Sequence, residues 1–169
     1  MIFTTKAEYG VRLLIELGRH ANGLPFDGPK APGESPVSTG LGQPVSLKAI
    51  ADAEGLPLAY LERIVALLKK ADLVESTRGA HGGYRLARPA ASIHMDEVVL
   101  ALEGAVAPMT CFVDESDGQR VLCSHQADQG HGCATKLLWT RVQGGVIKAL
   151  AATTLEELVE FSDRSPVTA

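Results

Sequence analysis

Aromatic residues are scarce in this chain: one Trp, three Tyr and four Phe make up 5% of its 169 residues. Any core must therefore be built mainly from Leu, Val, Ile and Ala. No apolar run is long enough to span a bilayer. Lys6, Glu8, Arg12, Glu16 and Arg19 interrupt residues 1–20, so no hydrophobic targeting segment stands there. The expectation is a soluble, cytosolic protein. Cysteine is almost absent, with Cys111, Cys123 and Cys133 the only three. An odd number of thiols in a reducing compartment argues against a disulfide framework and for metal ligands or redox sensors. No C-x-x-C pair occurs, which disfavours a structural zinc site. An overall basic excess is missing too, since the net charge is −4.

Nucleic-acid binding depends on local charge, and local charge is present. Residues 62–88 hold Arg63, Lys69, Lys70, Arg78, Arg85 and Arg88 against Glu62, Asp72 and Glu75, a net +3. Residues 111–133 hold Arg120 against Asp114, Glu115, Asp117 and Asp128, a net −3. With 46% hydrophobic and 21% charged residues, the chain is ordinary globular material for one domain, or a small domain with an appendage.

Tyr9, Leu13, Leu14 and Leu17 give residues 5–20 a helical apolar face. Residues 22–45 break the pattern with five glycines and five prolines among 24 residues, and read as a long mobile loop inserted at the surface. Ser46 is a suitable N-cap for a helix over 47–54. Gly55 ends that helix, and Pro57 suits the first turn of the next. The second helix runs to about Lys70 on a stripe of Leu61, Ile64, Val65 and Leu68. Leu73–Thr77 and Tyr84–Ala87 read as short strands, with Arg78, Gly79, Ala80, His81, Gly82 and Gly83 at the tip between them. Further helices are expected over 94–103 and 134–150, the latter with Leu138, Val142, Val146 and Leu150 spaced by four. Such a stripe fits packing against a second subunit or within the chain. Thr154 and Glu157 form a capping box for a short last helix. The fold class is thus mainly α with a small β-hairpin wing: a winged helix-turn-helix followed by a long C-terminal helix.

In such a module the second helix enters the major groove with its N-terminal part facing base edges. Tyr60, Glu62 and Arg63 are the candidates there. Arg63 suits bidentate pairing with guanine, and Glu62 suits acceptance from cytosine N4. Lys69, Lys70 and Arg85 suit phosphate contacts, which position without specifying. Arg78 and His81 at the hairpin tip suit the minor groove, where negative potential concentrates when the groove is narrow. The plainer readings stand beside these. Glu62 and Arg63 fit ordinary surface charges, Tyr60 fits ring packing, and Lys69–Lys70 fit complementing a helix C-terminus.

Three thiols in a polar stretch fit an iron–sulfur cluster if a fourth ligand comes from elsewhere. Zinc held by three Cys and one His of the pair His125 and His131 is an alternative. A metal-free thiol switch, in which two cysteines join on oxidation, is another. An enzyme using Cys/His nucleophilic chemistry is disfavoured, because the segment is acidic where a reactive thiolate needs a basic pocket. An iron–sulfur interaction protein with no DNA role is disfavoured by the basic hairpin.

Residues 46–86, "SLKAIADAEGLPLAYLERIVALLKKADLVESTRGAHGGYRL", resemble the reading head of the BadM/IscR/NsrR (Rrf) family of bacterial winged-helix regulators. The opening "TTKAEYGVRLLIEL" and the later "CATKLLWTRV" are similar to that family too. The resemblance covers nearly the whole chain except 22–45. It implies a homodimer on a partly palindromic double-stranded operator, with base or groove contacts at Glu62, Arg63 and Arg78. Pro57 and Ala59 stand where the family often has small hydroxyl residues. The resemblance also implies a 2Fe–2S or 4Fe–4S cluster held by Cys111, Cys123 and Cys133. Some members take a fourth ligand from a histidine three residues after the last cysteine, a position that is Lys136 here. Others use an acidic residue in the first helix of the partner subunit, and the matching residue is Glu8. His125 and His131 are the further candidates. Arg12 lies four residues after Glu8, so a surface ion pair is the plainer reading.

The expected organisation is a DNA-binding body over 1–103, a cysteine-bearing sensor over 104–133, and a dimerisation helix with a final helix over 134–169. The expected function is that of a transcriptional regulator, a repressor rather than an enzyme, responding to redox poise, iron or nitric oxide.

Overall fold

A computed structural model describes residues 4–22, 41–79, 82–104, 106 and 134–164. Six α-helices are present among them: α1 (Thr5–Ala21), α2 (Leu47–Glu54), α3 (Leu58–Lys70), α4 (Met95–Glu103), α5 (Ala134–Ala152) and α6 (Leu155–Arg164). Strands β1 (Val74–Thr77) and β2 (Gly83–Leu86) form one antiparallel hairpin, and a 3₁₀ turn covers Ala90–Ser92. The mainly helical class with a hairpin wing is thus the observed one. No helix among the described residues is long and apolar enough to cross a membrane. Most of segment 22–45 and all three cysteines, with His81, His125 and His131, lie outside the described residues.

α1 is the axis of the body. Thr4 caps it by accepting from the Lys6 amide at 3.2 Å, and the Thr4 hydroxyl also bonds Glu103 at the end of α4. Leu13, Leu14 and Leu17 are fully or almost fully buried, each contributing roughly 1.5–3 kcal/mol of transfer free energy. Two glycines let other helices approach closely. A Cβ at Gly10 would lie 2.3 Å from Leu102 of α4, and one at Gly18 would lie 2.6 Å from Val159 of α6. Near the C-terminal end of α1, Arg19 holds the buried Glu16 at 2.9 Å and reaches Asp163 of α6 at 3.2 Å. The hydrogen bond to Glu16 raises the Arg19 pKa and secures its charge.

The core continues through Ile50, Leu61, Ile64, Leu68, Leu73, Leu86, Ile93 and Leu155, and contains no fully buried aromatic among the described residues. Pro57 differs from expectation. Its ψ of 118° is extended, so it is the N-cap of α3 and not a residue of the first turn. Its carbonyl accepts from Tyr60 and Leu61 at 3.0 and 3.1 Å.

α5 also differs from the simple stripe. Leu138 and Val142 are exposed, whereas Trp139, Gln143, Val146 and Leu150 are partly covered, with α4 packed alongside. A spacing of four advances 40° beyond a full turn at each step of a helix with 3.6 residues per turn. The four-spaced row therefore winds from the solvent side to the body side. The end of α5 is fastened firmly. Met95 N donates to Thr153 O at 3.0 Å, Leu155 N to Ile93 O at 2.9 Å, and His94 Nδ1 bonds Ala151 O at 2.9 Å.

Candidate DNA interface and thiol segment

α2 and α3 form the helix-turn-helix. Ser46 Oγ accepts from the Ala49 amide at 3.1 Å, which satisfies one free donor at the start of α2. Gly55 closes that helix at φ 63°, a left-handed conformation that favours glycine, and Leu56 N returns to Ala51 O at 2.9 Å. Leu56 is buried, so the turn itself is packed into the core.

α3 turns Leu61, Ile64, Val65 and Leu68 inward. Helical phase then dictates what faces out. Ala59, Glu62, Arg63, Ala66, Lys69 and Lys70 are exposed. Among the described residues, Glu62, Arg63 and Lys70 form no side-chain ion pair or hydrogen bond. Their charged ends are available to an incoming ligand. Tyr60 is half-buried, with its ring edge-on to Tyr9 of α1 at a centroid distance of 5.7 Å and 89° between planes. That geometry is favourable for an aromatic pair, and it locks the start of α3 to α1.

The hairpin pairs Glu75 with Arg85 and Ser76 with Tyr84. The Arg85 guanidinium bonds the Glu75 carboxylate, and Lys69 Nζ donates to Ser76 Oγ at 2.6 Å. Two of the three phosphate candidates thus have partners within the chain, while Lys70 has none among the described residues. Both partnerships are solvent-accessible and worth little, so a phosphate can displace them. Arg78 is exposed beyond the end of β1. Val45 adds a third rung beside β2 through two hydrogen bonds with Tyr84, each 2.8 Å. Only a glycine fits at Gly83, because a Cβ there would lie 2.4 Å from the Val45 carbonyl oxygen. The hairpin is therefore held on both edges and presents Arg78 on a fixed arm beside α3.

Glu8 lies on the exposed side of α1, with 64% of its side chain accessible, and sits 3.9 Å from Arg12. Arg12 is committed elsewhere. Its Nε reaches Glu54 Oε2 at 2.7 Å and its Nη2 donates to the Glu54 carbonyl at 2.8 Å. This brace between α1 and the end of α2 had no signal in the sequence, because its partners are 42 residues apart. Among the described residues no group of three or more His, Cys, Asp or Glu could hold a metal ion. Glu8 is the one ligand candidate whose position is described. The structure does not bring it together with Cys111, Cys123, Cys133, His125 or His131, all outside the described residues.

Comparison with known proteins agrees with this architecture. The Rrf2 family model, described as an iron-dependent transcriptional regulator, matches residues 38–161. Protein rrf2 of Nitratidesulfovibrio vulgaris is 32% identical over 166 residues, covering 98% of this chain and 92% of that protein. The structure of CymR, the global cysteine regulator of B. subtilis, superposes with a TM-score of 0.67 at 30% identity, over 95% of this chain and 98% of that one. T. potens IscR superposes with a TM-score of 0.68 at 27% identity, over 100% of this chain and 93% of that one.

Proposed function

The chain belongs to the Rrf2 family of transcriptional regulators, and on that premise we propose that it is a homodimeric operator-binding repressor controlled by an iron–sulfur cluster. The observation that carries the DNA half is the outer face of α3, where Glu62 and Arg63 stand exposed and without partners among the described residues. Arg63 donates bidentately to guanine in the major groove, and Glu62 accepts from cytosine N4. Lys70 meets phosphate, joined by Lys69 and Arg85 once they leave Ser76 and Glu75. Arg78, with His81, reaches the adjoining minor groove. Tyr60 keeps α3 at a set angle through Tyr9. Residues 1–103 form the DNA-binding body, 104–133 the sensor, and 134–169 the dimer contact. The exposed apolar residues of α5 support that contact, since none of its 19 residues is buried.

An iron–sulfur cluster, when bound, supplies a redox-active centre. Cys111, Cys123 and Cys133 supply three thiolates, and Glu8 of the partner subunit supplies a carboxylate, with His125 and His131 as the alternative fourth ligands. The exposure of Glu8 and its loose 3.9 Å contact with Arg12 suit that role, because ligation would break nothing that holds α1 in place. The likeness to IscR and the iron-dependent description of the family support the cluster. α5 begins directly after Cys133, so any rearrangement of the thiol segment acts on the dimer contact and on the spacing of the two reading heads. A coupling of about 1–3 kcal/mol between sensor and operator sites corresponds to a ~5–150-fold change in affinity.

The likeness to CymR, a global cysteine regulator, supports a second reading: the same fold with a metal-free thiol response. Anaerobic purification followed by an absorption spectrum and assays of iron, sulfide and zinc separates the two. The cluster reading expects a brown protein with matched iron and sulfide. A colourless protein without iron, even after reconstitution, overturns it. Zinc in that sample indicates a structural site, and absence of any metal indicates the thiol response. Cys123→Ala should keep the fold and lose the response of operator binding to oxidant or iron depletion.

A further inference from the structure

Leu138, Val142, Gly145, Ala149 and Ala152 follow one another at spacings of four, three, four and three residues along α5. That is the seven-residue period of a helix–helix seam. All five are exposed. The opposite side of α5 faces its own body. Trp139, Gln143, Val146 and Leu150 are partly covered, and Gln143 Nε2 donates to Val106 O at 2.7 Å. Size falls along the seam, from Leu and Val to Gly, Ala and Ala. Gly144 and Gly145 sit in mid-helix, each costing about 1 kcal/mol relative to Ala. A Cβ on either would meet nothing within 4 Å. No contact among the described residues explains why two glycines stand there.

We infer that α5 packs antiparallel against α5 of a second copy of this chain, with the two-fold axis at Gly145. The inference rests on the dimer reading above and adds its register. A two-fold interface is self-complementary, so each residue meets its own mirror position along the axis. Leu138 then faces the partner's Ala152, Val142 faces the partner's Ala149, and Gly145 meets the partner's Gly145. Every large side chain lies on a small one, and the glycines let the backbones approach where the helices cross.

A parallel pair fails on three counts. It would stack Leu138 on Leu138 at one end and alanine on alanine at the other. The small end, where the helices would converge, is the end fastened to the body through Ala151, Thr153 and Leu155, so the two bodies would collide. Charge gives the same order. The charged residues of α5 are Lys136, Arg141 and Lys148, all basic. An antiparallel pair brings the Lys136 end of each helix to the end of the other that is followed by the exposed Glu156 and Glu157. A parallel pair sets Lys136 beside Lys136.

Sedimentation equilibrium on the full-length protein and four variants tests the register. Gly145→Leu should weaken the dimer by about tenfold or more, because extra bulk at a close-packed contact is strongly unfavourable. Circular dichroism should show its helix content kept or raised, since the added side chain has open space within the protomer. Leu138→Ala and Ala152→Leu should each weaken the dimer. The double variant should return to within about threefold of the unaltered protein, because the swap preserves each antiparallel pair. A dimer unaffected by Gly145→Leu, or a double variant as weak as its two changes combined, would overturn the register and leave the dimeric regulator standing. An unaltered protein that sediments as a monomer would overturn both.

Discussion

α3 and α5 are both amphipathic helices, and the fold uses them in opposite ways. α3 buries Leu61, Ile64, Val65 and Leu68 and offers its polar side to solvent. α5 buries nothing and leaves Leu137, Leu138, Val142 and Ile147 exposed. The difference lies in what their neighbours allow. Short connections on both sides force α2 and β1 onto α3, so its apolar side is covered by its own chain. α5 is fastened at its C-terminal end and packs on α4 along one side only. An apolar stripe shows that a helix will be covered, and the connections decide whether the cover comes from the same molecule.

The same truncation in the two helices gives the sharpest contrast and the largest effect. Leu61 is 0% exposed, so Leu61→Ala should cost about 2–5 kcal/mol through lost transfer energy and a residual cavity. Leu138 is 56% exposed, so Leu138→Ala should change the stability of an isolated protomer by no more than about 0.5 kcal/mol. Urea unfolding at several protein concentrations measures both. The Leu61 loss should be independent of concentration, while any loss at Leu138 should depend on it. Equal, concentration-independent losses would erase the distinction between the helices.

The next effect concerns the polar side of α3. Arg63→Ala should cost about 1–3 kcal/mol of operator affinity and relax the preference at one base pair. Binding titrations against a set of single-base operator variants would show it. A uniform loss across all of them would move Arg63 from base reading to phosphate contact. Lys70→Ala should do what Arg63→Ala does not: weaken every sequence alike and reduce the slope of log affinity against log salt by about one. An unchanged salt slope would remove Lys70 from the phosphate set.

The two regions were not equally legible in the sequence. The bounds of α2, the hairpin and the Thr154–Glu157 capping box follow from local chemistry, and each is present, with Thr154 N and Glu157 N bonding the opposite side chains at 3.2 and 3.3 Å. The outward placing of Glu62 and Arg63 follows from helix phase alone. The Arg12–Glu54 brace and the Arg19–Asp163 contact carry no period, because their partners lie 42 and 144 residues apart. The packing of Tyr60 on Tyr9 was equally hidden, since either residue alone is compatible with solvent. Gly83 did carry a signal, as a glycine just before a strand implies close backbone approach, but nothing local names Val45 as the partner. The row Leu138, Val142, Val146, Leu150 misled in a simple way. A four-residue step is not a helical turn, so the row spans two environments, and the seam that stays on one side alternates steps of four and three.

The smallest effect tests whether acid acts on the reading body and leaves α5 alone. α5 contains no Asp, Glu or His, so nothing in it titrates between about pH 5 and 8. His20, in the last turn of α1, does. Burial lowers its pKa below the usual 6.5, and the neighbouring Arg19 charge lowers it further. The unfolded chain takes up a proton near 6.5 that the folded protein resists. Folding stability should therefore be highest above that pH and fall as acid is added, levelling once the folded histidine is itself protonated. Urea midpoints measured from about pH 8 to about pH 5 should slope downward in the unaltered protein and slope less in His20→Asn. Parallel curves would show that the acid response arises elsewhere and that α1 carries no titrating group of consequence.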